Sequence, residues 1–188
     1  MATKRPTLFI RAVLAVFIVP LLAAPGAAQE RCKWSSDGGS GGVASYPQQL
    51  NIDVGDAPGH IVGVYELHTV AGPEAKPNCE GLKDKETWTH GYRDYRDRNG
   101  HTWGYMVTIL ENGDKIYQQY SGTTETTAAP DGSTKTTTDV VATWTAGTGR
   151  YQTVRGIARN HTLVDWAKGE SKPTGVHTSA DGEYWFEK

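Results

Sequence analysis

The fold class is indicated most clearly by the stretch Trp144-Thr145-Ala146-Gly147-Thr148-Gly149-Arg150-Tyr151-Gln152-Thr153-Val154-Arg155-Gly156-Ile157-Ala158. Threonine, aromatic and β-branched residues, which favour strands, stand on both sides of its paired glycines. Because glycine reaches positive φ without steric cost, Gly147 and Gly149 indicate a tight, shaped reversal of the chain. The stretch therefore predicts two strands joined by a short turn, the second with its own internal glycine, Gly156.

Turn signals and β-type runs alternate from Leu50 to the C-terminus. Asn-Gly and Asp-Gly dipeptides, which primed hairpin turns demand, occupy positions 99–100, 112–113, 131–132 and 181–182. Threonine, tyrosine, tryptophan and valine dominate the runs, and no helical periodicity is sustained. These signals predict an all-β chain with strands near 50–55, 60–70, 84–96, 101–111, 115–127, 133–145, 153–166 and 182–188.

A long meander of strands leaves exposed edges unless it closes. Eight antiparallel strands linked by hairpins can close into an up-and-down barrel, whose interior is filled by side chains or holds one small ligand. A two-sheet sandwich with the same number of strands is the alternative. We expect a single antiparallel eight-stranded up-and-down β-barrel over residues 50–188.

Residues 1–28 have the pattern of a cleavable secretory signal peptide. Basic residues precede an apolar run, 12–24, and small residues follow it up to Ala28. The run is short for a bilayer span, although a signal anchor stays the alternative. We expect cleavage near Ala28, a secreted or periplasmic protein, and no integral membrane segment in the mature chain. The Gly/Ser-rich range 29–49 is expected to be a flexible leader.

The charge balance argues against nucleic acid as a partner. The 188 residues include 19 Lys and Arg against 21 Asp and Glu, a net charge of −2. Three of the basic residues belong to the expected signal peptide, so the mature chain is more acidic still. Since no Lys/Arg stripe runs along the sequence, neither nucleic acid nor an anionic membrane surface is an expected partner.

The chain has two cysteines, Cys32 and Cys79, and both follow the expected cleavage site. In an oxidising compartment the simple interpretation is one disulfide. It would close a loop of about 48 residues and stabilise the fold by about 4 kcal/mol in the chain-entropy model. Two free thiols are the alternative. Two lone cysteines without histidine at a suitable spacing do not make a metal site.

Two titratable residues, Glu66 and His68, share one face of the strand predicted at 60–70 because side chains alternate along a strand. If that face lines an apolar interior, burial raises the carboxyl pKa and a neighbouring imidazolium lowers it. Such a pair can act as general base and acid on a substrate proton within hydrogen-bond reach. The alternative is that both side chains face solvent or form a structural contact.

Aromatic and imidazole residues also gather on single strand faces. The alternation places together Trp88, His90 and Tyr92 on one strand, and His101, Trp103 and Tyr105 on the next. Several strands are apolar on both faces, which a monomeric barrel in water does not require. Either the interior and an oligomer interface are both apolar, or long loops cover the outside.

Three stretches resemble the allene oxide cyclase and dirigent barrel families. Val64-Tyr65-Glu66-Leu67-His68 is similar to the Tyr-Glu-x-Asn stretch on the first barrel strand of the cyclases, with His68 in place of the asparagine. The glycine turn and strand from 147 to 158 resemble the Gly-Gly-x-Gly-aromatic segment of the family. Residues 182–186 resemble a closing strand of bacterial relatives without an assigned role. The similarity covers about residues 50–188.

The resemblance implies a cavity that takes a small, largely apolar molecule and needs no cofactor. It also implies a homo-oligomer, a trimer or a dimer. The expected ligand-binding residues are Trp88, His90, Tyr92, Trp103, Tyr105 and Trp144, and the expected catalytic residues are Glu66 and His68. The sequence departs from the cyclases after the first strand, where the proline-containing loop of the family has no clear counterpart in Ala71-Gly72-Pro73-Glu74.

Three classes of function follow from these observations. The first is binding of a small apolar ligand in the lumen, and the second is an isomerase or cyclase reaction that uses Glu66. The third is an interaction protein whose outward aromatic residues meet other proteins or glycans. The pattern of Tyr92–Arg98 is typical of a solvated hairpin arm with salt bridges, and a carbohydrate-facing strip is the alternative. No nucleophile elbow, zinc-protease helix, phosphate loop or dinucleotide fingerprint occurs, so hydrolytic and nucleotide-dependent classes have no support in the sequence.

Overall fold

The fold is all-β. The computed structural model describes residues 30–37, 42–170 and 172–188, so the predicted signal peptide lies outside the described residues. A single turn of 3₁₀ helix, Gly149–Tyr151, follows the seventh strand. The strands are β1 Cys32–Asp37, β2 Val43–Asp53, β3 His60–Val70, β4 Asp84–Arg96, β5 Asn99–Leu110, β6 Lys115–Ala128, β7 Thr134–Gly147, β8 Val154–Trp166 and β9 Gly175–Phe186.

All nine strands belong to one antiparallel sheet in the order β1-β9-β8-β7-β6-β5-β4-β3-β2. From β2 to β9 each strand pairs with the next one along the chain, as a meander requires. The expected count of eight strands is wrong, because β1 forms and adds to the outer edge of β9. Among the described residues β1 and β2 each pair on one side only, so the sheet is not closed.

The described residues of the range 29–49 differ from the flexible leader that its glycines and serines suggested. They include β1 and the first part of β2, both hydrogen-bonded into the sheet. The register of β2 shifts between Ser45 and Gln48, where Pro47 cannot donate a backbone hydrogen bond.

The sheet is rolled, since residues near its two ends touch. Cys32 of β1 forms a disulfide with Cys79, in the connection between β3 and β4, with a Cα–Cα distance of 6.1 Å. This confirms the predicted disulfide. Beside it, Glu80 accepts hydrogen bonds from the hydroxyl groups of Tyr151 and Tyr184. A flat sheet would hold β1 and β9 far from the β3–β4 connection, because neighbouring strands lie about 4.8 Å apart.

One face of the roll, which we call the inner face, holds the core. Leu110, Ile116, Tyr151, Val154 and Tyr184 are almost fully buried and form its main cluster with Trp144. Four threonines are also buried on this face, and Thr108 accepts a hydrogen bond from Gln118 at 3.0 Å. Thr108 therefore packs inside this sheet with its hydroxyl group paired, as buried polar groups require.

A row of small residues crosses the inner face and explains how large rings fit there. In register across neighbouring strands, the row runs Tyr65, Gly91, Gly104, Tyr120, Ala142, Ala158, Gly182 and Trp34. A Cβ atom at Gly91 would collide with the ring of Tyr65 and the hydroxyl group of Tyr120, and one at Gly182 would lie 3.0 Å from the indole of Trp34. The small residues thus make room for three rings, which fill the inside of the roll.

The predicted turns are correct at two of four places. Gly113 and Gly132 have φ of 88° and 84° in the turns after β5 and β6. The β4–β5 turn lies two residues earlier than predicted, with positive φ at Asp97 and Arg98. Gly182 is not in a turn: it lies within β9, on the inner face beneath Trp34.

Candidate functional site

The opposite face of the sheet, which we call the outer face, carries almost all the residues that the sequence singled out. Strand alternation opposite to the buried positions places there Glu66 and His68 of β3, Trp88, His90 and Tyr92 of β4, and His101, Trp103 and Tyr105 of β5. Trp144 alone lies on the inner face. The predicted clustering on shared strand faces is confirmed, and the face concerned is the one outside the core.

Glu66 and His68 do not pair with each other. The Nε2 atom of His68 lies 2.7 Å from the Glu86 carboxylate, and its ring stacks on Trp88 with centroids 3.9 Å apart. Glu66 faces His90, with 3.5 Å between its Oε2 atom and Nδ1. Each residue is thus engaged with a neighbour on β4, which is the structural contact that the sequence left open as an alternative. Their catalytic role stays a prediction.

Three rings of β4 and β5 form a stacked series on the outer face. The Tyr92 and Trp103 centroids are 5.8 Å apart at an interplanar angle of 18°, and those of His101 and Trp103 are 5.3 Å apart at 22°. Trp103 is 39% exposed, and Tyr105 beside it is more exposed still. We call Tyr92, His101 and Trp103 the aromatic stack. It offers a broad apolar surface with polar ring edges to solvent.

A shallow groove of about 530 Å³ begins at the aromatic stack and crosses the outer face toward β9. We call it the outer groove. Its walls combine hydroxyl groups, charged groups and one exposed valine on alternate positions of five successive strands. The outer-face residues that line it are His101, Ser121, Thr123, Asp139, Val141, Arg159, His161, Ser179 and Asp181.

Hydrogen bonds order part of this lining. The Nδ1 atom of His161 lies 2.6 Å from the Asp139 carboxylate, and the Nε2 atom of His101 lies 3.2 Å from the Ser121 hydroxyl. The guanidinium of Arg159 lies in the same row as Asp181, its register partner on β9. The outer groove therefore offers hydrogen-bond donors and acceptors, and positively and negatively charged groups, next to the flat rings of the aromatic stack. His101 belongs to both the outer groove and the aromatic stack.

Trp144 occupies a different environment. Its ring stacks on Tyr184 at 4.8 Å, and its Nε1 atom is buried without a hydrogen-bond partner, like that of Trp34. Burial raises the pKa of the Tyr151 hydroxyl to about 12, and burial together with Glu80 raises that of Tyr184. Both phenols are therefore neutral donors that hold the β3–β4 connection against the core, which makes this a structural cluster.

A second charged cluster lies where β3 begins. His60 contacts Asp56 through Nδ1 at 2.5 Å and Asp94 through Nε2 at 2.9 Å. The hydrogen bond that His60 donates to Asp56, and then the one that it donates to Asp94, raise the pKa of His60, while His60 lowers the pKa of Asp56. An imidazole that donates from both nitrogens must be protonated, so this cluster favours the charged histidine.

The groove residues of β6 to β9 are not among the site residues expected from the sequence. Asp139, Arg159, His161 and Asp181 stand in polar stretches whose pattern predicts only strands and turns. The signal was present, because strand alternation applied to β7 and β8 places Asp139, Val141, Arg159 and His161 on one side. Nothing in the sequence indicated that these residues would line one groove together with His101 of β5.

In the part of the chain that the structure describes, no group of three or more His, Cys, Asp or Glu side chains could hold a metal ion. No helix within 30–37, 42–170 and 172–188 is long and apolar enough to cross a membrane. No protein-family model, curated protein or solved structure matches the chain.

Proposed function

We propose that this chain is an exported binding protein that takes a saccharide along its outer face, without covalent chemistry. The observation that carries the proposal is the continuity of two surfaces: the aromatic stack runs directly into the polar outer groove, and His101 lines both. Sugars have apolar C–H faces that pack on flat rings and hydroxyl groups that need donors and acceptors beside them. The outer face supplies both in one place.

Two features favour a saccharide over the small apolar ligand that the sequence suggested. Five of the six aromatic and imidazole residues expected to bind it lie on the outer face, where a small apolar ligand would stay largely in water. The inner face is filled by the protein's own rings, with the Tyr65 and Tyr120 hydroxyl groups 2.6 Å apart across it. A lumen ligand beside Trp144 therefore stays a prediction without a described cavity to support it.

The location outside the cytoplasm is part of the proposal. The disulfide between Cys32 and Cys79 is compatible with an extracellular location. Together with the signal-like pattern of residues 1–28, it supports a secreted or periplasmic protein. A groove that binds sugars would then meet its ligand outside the cell.

We also propose that the rolled sheet approaches a barrel, with β1 and β2 as the two parts of an interrupted first strand. Only residues 38–42 join Asp37 to Val43, which limits these ends to about 21 Å apart. Six successive antiparallel pairings connect β3 to β9, so these two strands run in the same direction. Because β1 is antiparallel to β9 and β2 is antiparallel to β3, β1 and β2 also run in the same direction. Kinship with the allene oxide cyclase and dirigent barrels remains a proposal of the same kind.

The test is a binding measurement with two matched variants. Wild-type protein is screened against soluble saccharides, and the best ligand is titrated by calorimetry against Trp103→Ala and Tyr117→Ala. Both variants remove an exposed outer-face ring, but Tyr117 lies outside the aromatic stack and the outer groove. We expect Trp103→Ala to weaken binding at least tenfold, about 1.4 kcal/mol, and Tyr117→Ala to leave it unchanged.

Two results would contradict the proposal. Wild-type protein that binds no saccharide excludes the ligand class. Equal losses in both variants exclude the aromatic stack as the binding surface. Native mass spectrometry adds an independent readout, since a retained small molecule that Trp103→Ala does not release would move the site to the inner face.

A further inference from the structure

The exposed edge of the sheet at β2 differs from most natural edge strands. Edge strands are usually protected by charged side chains, proline or bulges, because their unpaired backbone groups invite another strand. In β2 the bulge and Pro47 protect only the first part. The remainder, Gln48–Ile52, has no charge and no proline, and its Leu50 is 59% exposed.

This second part of β2 is ordered by side-chain hydrogen bonds and by regular pairing with β3. Arg93 of β4 donates from Nε to Asn51 and from Nη2 to Gln49, both at 2.9 Å. Gln48 to Asp53 pair in regular register with β3 on one side. On the other side, within the described residues, no strand pairs with them. Because the side chains of Gln49 and Asn51 are already fixed, they lose little conformational entropy when another strand pairs with β2.

The sequence of this segment is complementary to itself. If two copies pair antiparallel about a two-fold axis at Asn51, Leu50 of one copy lies opposite Ile52 of the other. Gln49 then lies opposite Asp53, and Asn51 opposite Asn51. Apolar residues face apolar residues, amides face an amide or a carboxylate, and no like charges meet.

We propose that the occupant of this edge is a second copy of the chain, which joins through Gln49–Asp53 to extend the sheet across a two-fold axis. A two-fold interface uses the same patch on both subunits, and this segment satisfies that requirement in charge and in polarity. The inference is independent of the saccharide proposal, because the aromatic stack and the outer groove contain no residue of β2.

The experiment uses the intact, disulfide-bonded chain and two lysine variants of one strand. Leu50→Lys places a charge in the proposed contact, whereas Val43→Lys places it before the bulge, at an apolar site that is also exposed. Sedimentation velocity over a micromolar concentration series measures self-association. Hydrogen exchange on the same samples reports the amides of residues 48–53. Both variants change exposed side chains, so the fold should be kept, and unchanged circular dichroism checks this.

We expect wild-type protein and Val43→Lys to form dimers whose amides in 48–53 gain protection with concentration. We expect Leu50→Lys to raise the dissociation constant at least tenfold and to lose that protection. A wild-type chain that stays monomeric with unprotected amides would overturn the proposal. A dimer that survives Leu50→Lys, or that Val43→Lys disrupts equally, would place the interface elsewhere and overturn it as well.

Discussion

The inner and outer faces of β4 are built from alternate residues of the same segment, yet they meet opposite demands. Thr89 and Gly91 are buried, and Gly91 must be small because the ring of Tyr65 and the hydroxyl group of Tyr120 lie against it. Their neighbours His90 and Tyr92 are exposed and contact other polar or aromatic side chains. The inner face is constrained by packing, so the outer face is free to carry the rings and charges of a binding surface.

The largest effect that tests this contrast is a pair of valine truncations on neighbouring strands. Val154 of β8 is 0% exposed and Val141 of β7 is 44% exposed. We expect Val154→Ala to lower the free energy of unfolding by about 2 kcal/mol, since it removes buried methyl groups and leaves a cavity. We expect Val141→Ala to change it by less than about 0.5 kcal/mol. Urea unfolding measures both, and similar losses would mean that the outer face also packs.

A smaller loss of stability is expected when a tyrosine hydroxyl group is removed, and it should differ between the two faces. Tyr120 shares a hydrogen bond with Tyr65 on the inner face, and burial raises the pKa of its phenol. We expect Tyr120→Phe to cost about 1 kcal/mol, because Tyr65 and Thr102 lose a partner. The matched change Tyr105→Phe, on the exposed face, should cost nothing measurable in the same denaturation experiment. An unchanged stability for Tyr120→Phe would show that the inner hydrogen bonds are dispensable.

The smallest effect is the pH dependence that His60 gives to the outer face. Asp56 and Asp94 raise its pKa in the folded chain above its unfolded value of about 6.5. The folded state therefore binds the proton more tightly, so this stabilisation is complete below about pH 6.5 and is lost as pH rises through the folded pKa. As the pH rises through this range, we expect the midpoint urea concentration of unfolding to fall more for the wild-type protein than for His60→Gln. Parallel curves for the two proteins would contradict the role of this cluster.

Much of the strand pattern could be predicted from local sequence. The strands at 60–70 and 84–96 lie where they were predicted, and the glycine turns after β5 and β6 have the expected positive φ. The disulfide followed from the presence of only two cysteines in a chain with a signal-like start. These features depend on a few neighbouring residues, whose alternation and backbone freedom are visible in one window.

Other features could not be predicted, because they depend on which strands become neighbours. The Gly/Ser-rich segment before β2 gave no sign that Cys32–Asp37 would pair with β9 at the far end of the chain. Asp181-Gly182 has the composition of a hairpin turn, yet Gly182 lies inside β9 because Trp34 needs the space above it. In each case a long-range contact outweighed the local preference.

The amino-acid sequence alone predicts an all-β chain, most strand positions and the set of residues that share a strand face. Alternation needs only the geometry of the extended backbone, so it is readable without a partner. Which face lies inside, and how the outer groove is assembled, depend on the arrangement of the strands in the folded chain. Both faces of several strands carry aromatic and β-branched residues, so burial was settled by the row of small residues that admits Trp34, Tyr65 and Tyr120 from neighbouring strands. That row exists only in register across the sheet, and register is a property of the folded chain.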